Sequence, residues 1–123
     1  MNAAGFDPAE LTQDAFLGGK VMLYQPRRGY RAGVDAVLLS ASVHAEKGAR
    51  ILDLGCGAGA AILCLRARVP GLHLTGVERD PAYAALARQN GAAQLEVIEA
   101  DIAALPAELL QRQFDHVLAN PPF

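Results

Sequence analysis

Three alternate glycines, Gly55, Gly57 and Gly59, follow an apolar run, and this loop constrains the fold more than any other part of the sequence. The run Ile51–Leu54 is typical of a buried strand, and the alanine-rich stretch after Gly59 is typical of a helix. Glycine permits positive φ and lets a ligand touch the backbone, while a helix amino terminus offers unpaired N–H groups to an anion. The sequence therefore predicts a nucleotide-like ligand at a strand–loop–helix turn.

The glycine pattern alone leaves the kind of nucleotide open. The segment Gly55–Ala60 also satisfies the dinucleotide pattern G-x-G-x-x-A, so an NAD-dependent dehydrogenase is one alternative. It would use Glu78, 19 residues after Gly59, to bind a ribose. It gives no role to Asp53 or to the last four residues of the sequence.

Acidic residues follow or close three consecutive predicted strands: Asp53, Glu78 and Asp101. Ligands of open α/β sheets bind at the carboxyl ends of the strands, so we expect these side chains to share one edge. Glu78 is placed to accept hydrogen bonds from ribose hydroxyls, and its charge disfavours a 2′-phosphate.

From Arg50 onward, short apolar runs alternate with helical stretches, which indicates an α/β fold with a parallel sheet. The predicted strands are Ile51–Leu54, Leu72–Val77, Leu95–Glu99 and Phe114–Ala119, and the predicted helices are Ala60–Val69, Pro81–Asn90 and Pro106–Gln113. Asp80 is a suitable N-cap for the helix that begins at Pro81. We expect residues 49–123 to form a cofactor-binding half-domain.

Residues 1–48 are expected to form a separate amino-terminal unit that packs on this core. Two extended runs, Asp14–Leu17 and Lys20–Tyr24, flank a glycine pair and predict a β-hairpin. Gln25–Arg31 is a predicted loop. Apolar residues at helical spacing then predict a helix over Val34–Ala45 with one buried face, formed by Val34, Val37, Leu38 and Ala41.

The composition describes an ordinary globular chain. Its 123 residues are 52% hydrophobic and 20% charged, with a net charge of -2. No apolar run reaches the roughly 18 residues of a membrane span, and no leader pattern is present at the start, so we expect a cytoplasmic protein without a membrane partner. Neither the two cysteines, Cys56 and Cys64, nor the three scattered histidines have metal-site spacing, so no metal is expected and both thiols should be reduced.

The sequence closes on Asn120-Pro121-Pro122-Phe123, directly after the fourth predicted strand. Two consecutive prolines remove two backbone donors and stiffen the loop, which then presents carbonyl oxygens and the Asn120 amide at the sheet edge. Such acceptors suit an amino group, and the ring of Phe123 suits stacking on a planar base. A proline turn that merely ends a strand is the alternative.

A basic stretch precedes the first helix. Between Lys20 and Val34 there is no acid, while Arg27, Arg28 and Arg31 lie close to Tyr24 and Tyr30. Cationic side chains interleaved with aromatic ones suit phosphates and unstacked bases. The three arginines are therefore candidate RNA-binding residues, and a solvated loop is an equally acceptable interpretation.

Together these residues resemble the class I S-adenosylmethionine-dependent methyltransferases, from about Thr12 to Phe123. The resemblance implies a Rossmann-like fold whose first four strands have the order 3-2-1-4, with S-adenosylmethionine as cofactor. It implies that Asp53 and the glycine loop (Gly55, Gly57, Gly59) bind the methionine end, that Glu78 binds the ribose, and that Asp101 and the Ile102 N–H bind the adenine. It also implies that Asn120, Pro121, Pro122 and Phe123 form the catalytic motif of enzymes that methylate nitrogen.

A narrower resemblance concerns the amino-terminal half. Asp14–Gly19, Gln25-Pro26 and Gly29–Leu39 are similar to the bacterial tRNA adenine-N6 methyltransferases that modify a valine tRNA. That similarity implies methylation of an exocyclic adenine amino group, with tRNA as partner. Enzymes that methylate rRNA guanine-N2 or protein glutamine-N5 are the alternatives within the same family.

Members of this family continue past the fourth strand, so the sequence resembles an amino-terminal half. We therefore expect a truncated fold, and a non-catalytic S-adenosylmethionine-binding module is a further alternative. The fourth strand, Phe114–Ala119, would have an unpaired apolar edge, which favours pairing with another chain. We expect a homodimer or higher oligomer through this edge.

Overall fold

The computed structural model describes residues 5–120. In chain order its strands are β1 (Leu11–Phe16), β2 (Val21–Pro26), β3 (Arg50–Leu54), β4 (His73–Glu78), β5 (Leu95–Glu99) and β6 (His116–Ala119). Its α-helices are α1 (Val34–Ala41), α2 (Ala60–Arg68), α3 (Pro81–Gly91) and α4 (Ala107–Leu110). None of the helices in the described range is long and apolar enough to cross a membrane.

The central sheet is parallel and has the order β5-β4-β3-β6, which confirms the predicted 3-2-1-4 arrangement. Its register pairs Asp53 with Gly76 of β4 and with Leu118 of β6. The predicted fourth strand is shorter than expected, because Asp115 lies before β6 and accepts the Arg50 N–H through Oδ2 at 2.7 Å. Because the four strands are parallel, their carboxyl ends all lie at one edge of the sheet.

Two apolar clusters cover the two faces of this sheet. Ile51 and Leu118 belong to the larger cluster, which contains the fully buried side of α2. Leu52 and Val77 belong to a smaller cluster completed by Leu109 of α4. The predicted helix Pro106–Gln113 forms a single turn here, and Val117 of β6 is 57% exposed on this second face.

Helix α3 begins at the predicted residue and ends one residue later than predicted, because Gly91 keeps a helical backbone and Ala92 takes the positive φ of 50°. The Asp80 carboxylate accepts hydrogen bonds from the Ala82 and Tyr83 N–H groups, and Pro81 occupies the first turn. Near its end, Asn90 accepts the Tyr24 N–H at 2.9 Å through Oδ1. Its Nδ2 donates to the Tyr24 carbonyl at 3.0 Å and to the Ala58 carbonyl at 2.8 Å. One side chain thus joins α3, β2 and the glycine loop.

The amino-terminal hairpin is longer than predicted. Strands β1 and β2 pair antiparallel, with Leu11 opposite Pro26 at one end and Phe16 opposite Val21 at the other. Gln25 and Pro26 are therefore strand residues and not part of the loop. The Gln25 side chain is 2% exposed and explains this extension. It donates to Asp14 of β1 and accepts the Ala32 N–H, which anchors the following loop to the hairpin.

Helix α1 corrects two predictions. It ends at Ala41 and not at Ala45, because Arg68 of α2 donates to the carbonyls of Ser40 and Val43 and satisfies the end of the helix. Its buried face contains Ala36 and Ser40, whose small side chains pack toward α2. Val34 and Leu38, which were expected to be buried, are 71% and 63% exposed, and Ala41 is also exposed.

Candidate functional site

The glycine loop after β3 is shaped by two residues with positive φ. Gly55 has φ of 76° and Gly57 has φ of 56°, a region that side chains other than glycine rarely adopt. The N–H groups of Gly55 and Cys56 both donate to the Val77 carbonyl, at 2.8 and 2.9 Å. The loop is therefore fastened to β4 and presents its backbone at the carboxyl end of the sheet.

Gly59 has a different position from the other two glycines. It precedes α2 with φ of 97°, and a Cβ there would come within 3.3 Å of Leu63 and 3.8 Å of Leu95. Gly55 and Gly57 line the cavity described below, whereas Gly59 is buried beneath the loop. The structure thus places Gly59 where it packs the loop against the core.

Glu78 joins the end of β4 to this loop. Its Oε1 accepts the Gly57 N–H at 2.8 Å, and its Oε2 accepts the Asp80 N–H at 2.9 Å. Each carboxylate oxygen has a second lone pair, so these bonds leave acceptor capacity toward the cavity.

Asp53 is the most deeply buried acid near the loop, with 2% of its surface exposed. Desolvation raises the pKa of its carboxyl group to about 7, and the negative charge of Glu78 adds to the shift. A carboxylate in this position is costly unless a cation or a set of donors accompanies it. The site is therefore suited to a positively charged ligand group.

A cavity of about 320 Å³ lies at the carboxyl ends of β3 and β4. A smaller pocket of about 30 Å³ adjoins it and is lined by Asp53. The two share Tyr30, Gly55, Tyr83 and Asn120 as lining residues. The remaining residues that line the larger cavity are Gly57, Val77, Glu78, Arg79, Asp80, Ala100, Asp101 and Ile102.

Asp101 and Ile102 form the far wall of the cavity, just after β5. Asp101 accepts the Ala103 N–H at 2.9 Å and caps a short 3-10 turn, and Ile102 is 52% exposed. A partly exposed aliphatic side chain beside a carboxylate suits a planar base with an exocyclic amino group. The structure thus brings Asp53, Glu78 and Asp101 to one edge, as predicted from the strand order.

Asn120 lies directly after β6 and lines both cavities. Its Nδ2 donates to Oδ2 of Asp35 at 3.0 Å and lies 3.5 Å from the Tyr30 hydroxyl. The hydrogen bond from Asn120 is the main cause of a lowered pKa at Asp35. The other proposed catalytic residues, Pro121, Pro122 and Phe123, lie outside the described residues.

Sequence reasoning assigned no role to Asp35 and none in the cavity to Tyr30. Asp35 is an acid in the first turn of a helix, where a carboxylate is common for electrostatic reasons alone. Tyr30 is fixed through its carbonyl, which accepts the Tyr83 hydroxyl at 2.9 Å. Both residues lie in the segment Gly29–Leu39 that resembles the tRNA methyltransferases, but no local signal assigns either of them a place at the cavity.

The three candidate RNA-binding arginines differ in their surroundings. Arg31 donates to Asp14 at 2.9 Å, to the Pro26 carbonyl at 2.7 Å and to Thr12. Although desolvation opposes it, hydrogen bonds from Gln25 and Thr12 and the charge of Arg31 lower the pKa of Asp14. Arg31 therefore braces the loop against β1.

Arg27 and Arg28 are exposed on the same loop. The Arg27 side chain donates a hydrogen bond from Nε to the Ala9 carbonyl at 3.1 Å. The terminal guanidinium nitrogens of Arg27 and the side chain of Arg28 are therefore better placed than Arg31 to contact a phosphate.

A larger cavity, of about 890 Å³, lies elsewhere, near the amino ends of the strands. Arg50, His73 and Arg112 contribute to it, and none of the predicted site residues does. Ligands of open α/β folds bind at the carboxyl ends, so the smaller cavity is the candidate site despite its size.

Comparison with known proteins identifies the family to which the chain is similar. A family model described as "Methyltransferase small domain" matches residues 32–123. The tRNA1(Val) (adenine(37)-N6)-methyltransferase of Yersinia enterocolitica is 34% identical, over 79% of this chain and 41% of the relative. The protein of the same name from Yersinia pestis is 35% identical with the same coverage. The chain thus spans 41% of the length of these two relatives.

Solved structures show the same fold. A predicted O-methyltransferase from Agrobacterium tumefaciens has a TM-score of 0.63 and 34% identity, over 72% of this chain and 49% of that one. A SAM-dependent methyltransferase from Thiobacillus denitrificans, in complex with S-adenosyl-L-homocysteine, has a TM-score of 0.58 and 24% identity, over 72% and 36%. These findings confirm the resemblance inferred from the glycine loop and resolve its ambiguity against a dehydrogenase. The chain belongs to the methyltransferase small domain family, whose members use S-adenosylmethionine as methyl donor.

Proposed function

We propose that this protein is a nitrogen methyltransferase that uses S-adenosylmethionine and acts on an exocyclic adenine amino group in tRNA. The observation that carries the proposal is the position of Asn120. Its side chain lies at the end of β6, on the wall shared by the pocket of Asp53 and the cavity of Glu78 and Asp101. An amide that can hold an amine thus stands beside a site suited to a cationic nucleoside.

The residues present fit this cofactor. The buried carboxylate of Asp53 has a raised pKa because nothing cationic offsets its burial, and the ammonium group of the methionine end would supply that charge. Glu78 would accept the ribose hydroxyls while it holds the Gly57 N–H. Asp101 and the backbone of Ile102 would bind the adenine. The cavity volume of about 320 Å³ is within the range of small-molecule sites.

The chemistry requires positioning more than acid–base catalysis. When bound, the cofactor supplies a methyl group on a sulfonium sulfur, which keeps the electron pair of the breaking bond and becomes a neutral thioether. Asn120 Oδ1 would accept an N–H of the target amine and direct the nitrogen lone pair toward the methyl carbon. The nitrogen then releases a proton to solvent after the new bond forms. No described residue needs to act as a strong base.

Three features support an RNA acceptor. The relatives that match over most of this chain are named for adenine-N6 methylation of a tRNA. The Tyr30 ring lies at the cavity, where an aromatic face can stack on an unstacked base. Arg27 and Arg28 extend from the same loop, where they can contact phosphates. We accordingly propose a cytoplasmic location, where tRNA is modified.

The experiment is a methyl-transfer assay with the longest form of the protein that its gene encodes, called here the full-length form. It is incubated with S-adenosylmethionine and with tRNA or rRNA from a strain that lacks the gene, and the nucleosides are analysed by mass spectrometry. N6-methyladenosine in tRNA supports the proposal. Methylguanosine in rRNA, or methylation of a protein glutamine, would replace the acceptor that we propose. Binding of S-adenosylhomocysteine without methyl transfer to any acceptor would favour a binding module.

A further inference from the structure

Asp35 connects two parts of the chain that lie far apart in sequence. It stands in the first turn of α1, where Oδ1 accepts the Gly33 N–H at 3.1 Å and backbone N–H groups of the turn add to its stabilisation. Its other oxygen, Oδ2, accepts Nδ2 of Asn120, 85 residues further on, at 3.0 Å. The two oxygens of one carboxylate thus have separate partners.

This contact determines the orientation of the Asn120 amide. An ionised carboxylate offers only acceptors, so the NH₂ end of the amide must face Asp35. The Tyr30 hydroxyl, 3.5 Å from Nδ2, lies on the same side. The carbonyl oxygen, Oδ1, is consequently turned away from Asp35 and is the atom left to accept a hydrogen bond from an amine.

The contact also adds negative charge where the reaction needs it. An amine that attacks a methyl group gains positive charge on its nitrogen. A carboxylate that accepts from the NH₂ end polarises the amide and makes its oxygen a stronger acceptor. The negative charge of Asp35 therefore acts on the target amine through the polarised amide of Asn120.

We propose that Asp35 is a positioning residue for methyl transfer, which fixes and polarises the Asn120 amide so that its oxygen holds the target amine. The proposal rests on the nitrogen methyltransferase function proposed above. Its competitor is a purely structural role, in which Asp35 only stabilises the first turn of α1 by accepting the Gly33 N–H.

Asp35→Asn separates the two roles. The asparagine keeps an oxygen that can accept the Gly33 N–H, so this contact with the start of α1 is retained. It places an NH₂ group against the NH₂ group of Asn120, and two donors cannot bond to each other. The variant should therefore fold normally and lose only the orientation of the Asn120 amide. Asp7→Asn, the same change at the carboxylate that caps the short 3-10 helix Pro8–Glu10, is the control.

Kinetics of the full-length form are the first measurement. We expect Asp35→Asn to lower kcat by about 10- to 100-fold, less than the loss of a direct contact with the reacting group. The dissociation constant of S-adenosylhomocysteine should change less than about twofold, since Asp35 does not line the larger cavity. In an Asn120→Ala background the same substitution should have almost no further effect. The proposal would be overturned if Asp35→Asn had wild-type kcat. It would also be overturned if the substitution lowered kcat by the same factor in the wild-type and Asn120→Ala backgrounds.

The second measurement does not depend on activity. In ¹H–¹⁵N spectra of this chain, the side-chain amide of Asn120, assigned by its loss in Asn120→Ala, should shift in Asp35→Asn and remain in place in Asp7→Asn. An unchanged Asn120 signal in Asp35→Asn would show that the contact is absent and would overturn the inference. If the Asn120 signal shifts in Asp35→Asn but the wild-type full-length form methylates no nitrogen, the proposed function fails while the contact between Asp35 and Asn120 is confirmed. Failure of the proposed function can therefore be distinguished from failure of this inference.

Discussion

Oε1 of Glu78 accepts the Gly57 N–H at 2.8 Å, so the side chain proposed to bind the ribose also fixes the loop that faces the cofactor. The second oxygen fastens the turn before α3 through the Asp80 N–H. Removal of this carboxylate would take away a ligand contact and two internal hydrogen bonds at once.

We expect Glu78→Ala to weaken S-adenosylhomocysteine binding by about 1 to 3 kcal/mol, the usual cost of losing buried hydrogen-bond partners. Glu78→Gln should lose less, because one acceptor oxygen remains. Isothermal titration calorimetry measures both. Glu99→Ala, at the exposed end of the neighbouring strand β5, is the matched control and should bind normally. Equal affinity of wild type and Glu78→Ala would remove the ribose role.

The buried Asp53 should make stability depend on pH. Its carboxyl pKa is about 7 in the folded protein against about 3.8 when exposed, so between these values only the folded state holds the proton. The free energy of unfolding must then fall as pH rises from 4 to 7, by up to about 4 kcal/mol at 1.36 kcal/mol per unit. Asp53→Asn cannot ionise, so its stability relative to wild type should increase between pH 5 and pH 8.

Urea unfolding of this chain at several pH values measures that difference. A stability difference between Asp53→Asn and wild type that stays constant from pH 5 to pH 8 would contradict the raised pKa. The same variant should bind S-adenosylhomocysteine more weakly, because it lacks the charge proposed to meet the ammonium group.

Asn120→Ala should separate catalysis from cofactor binding. Its proposed partner is the target amine, so kcat of the full-length form should fall by about 100-fold or more while the affinity for S-adenosylhomocysteine stays within about twofold. Steady-state kinetics and calorimetry provide the two values. Wild-type turnover in the variant would remove Asn120 from the catalytic assignment.

The arginines of the loop should divide into two groups. Replacement of both Arg27 and Arg28 by glutamine should weaken RNA binding and reduce the slope of log affinity against log salt by about 1.4 to 1.8, since each phosphate contact releases counterions. Arg31→Gln breaks the contacts with Asp14 and Pro26 and should lower the melting temperature by a few degrees. Filter binding at several salt concentrations and thermal unfolding measure these effects. An unchanged salt slope in the double variant would show that the loop is only solvated.

The edge of β6 predicts self-association of this chain. Within residues 5–120, β6 pairs with β3 on one side and with no strand on the other, and Val117 is 57% exposed beside that edge. Such an edge is a template for another strand, and the contact should be isologous. Sedimentation velocity should show a dimer that Val117→Lys dissociates, whereas Val34→Lys, at a valine of α1 that is 71% exposed, should not. A wild-type monomer at high concentration would contradict this.

The order of the sheet and the meeting of three acids at one of its edges could be predicted because they depend on local patterns. The alternation of strands and helices after Arg50 determines a parallel sheet, and parallel strands bring Asp53, Glu78 and Asp101 to one edge. The start of α3 at Pro81 likewise follows from Asp80, the capping residue next to it in sequence.

The parts that could not be predicted depend on side chains that meet across the fold. Val34 and Leu38 have the spacing of a buried face, yet the small side chains of Ala36 and Ser40 allow closer packing and decide which side faces α2. The contact between Asp35 and Asn120 joins residues 85 positions apart. Neither partner has a sequence context that specifies the other, so only the folded chain reveals the pair.

The three hydrogen bonds of Asn90 have a consequence for local unfolding. Asn90 binds both backbone groups of Tyr24 and the carbonyl of Ala58, so separation of β2 from α3 frees the side chain that also holds the glycine loop. The hairpin and the loop therefore open as one cooperative unit. A ligand that stabilises the loop would slow the exchange of amide protons in β2, on a strand that it does not touch.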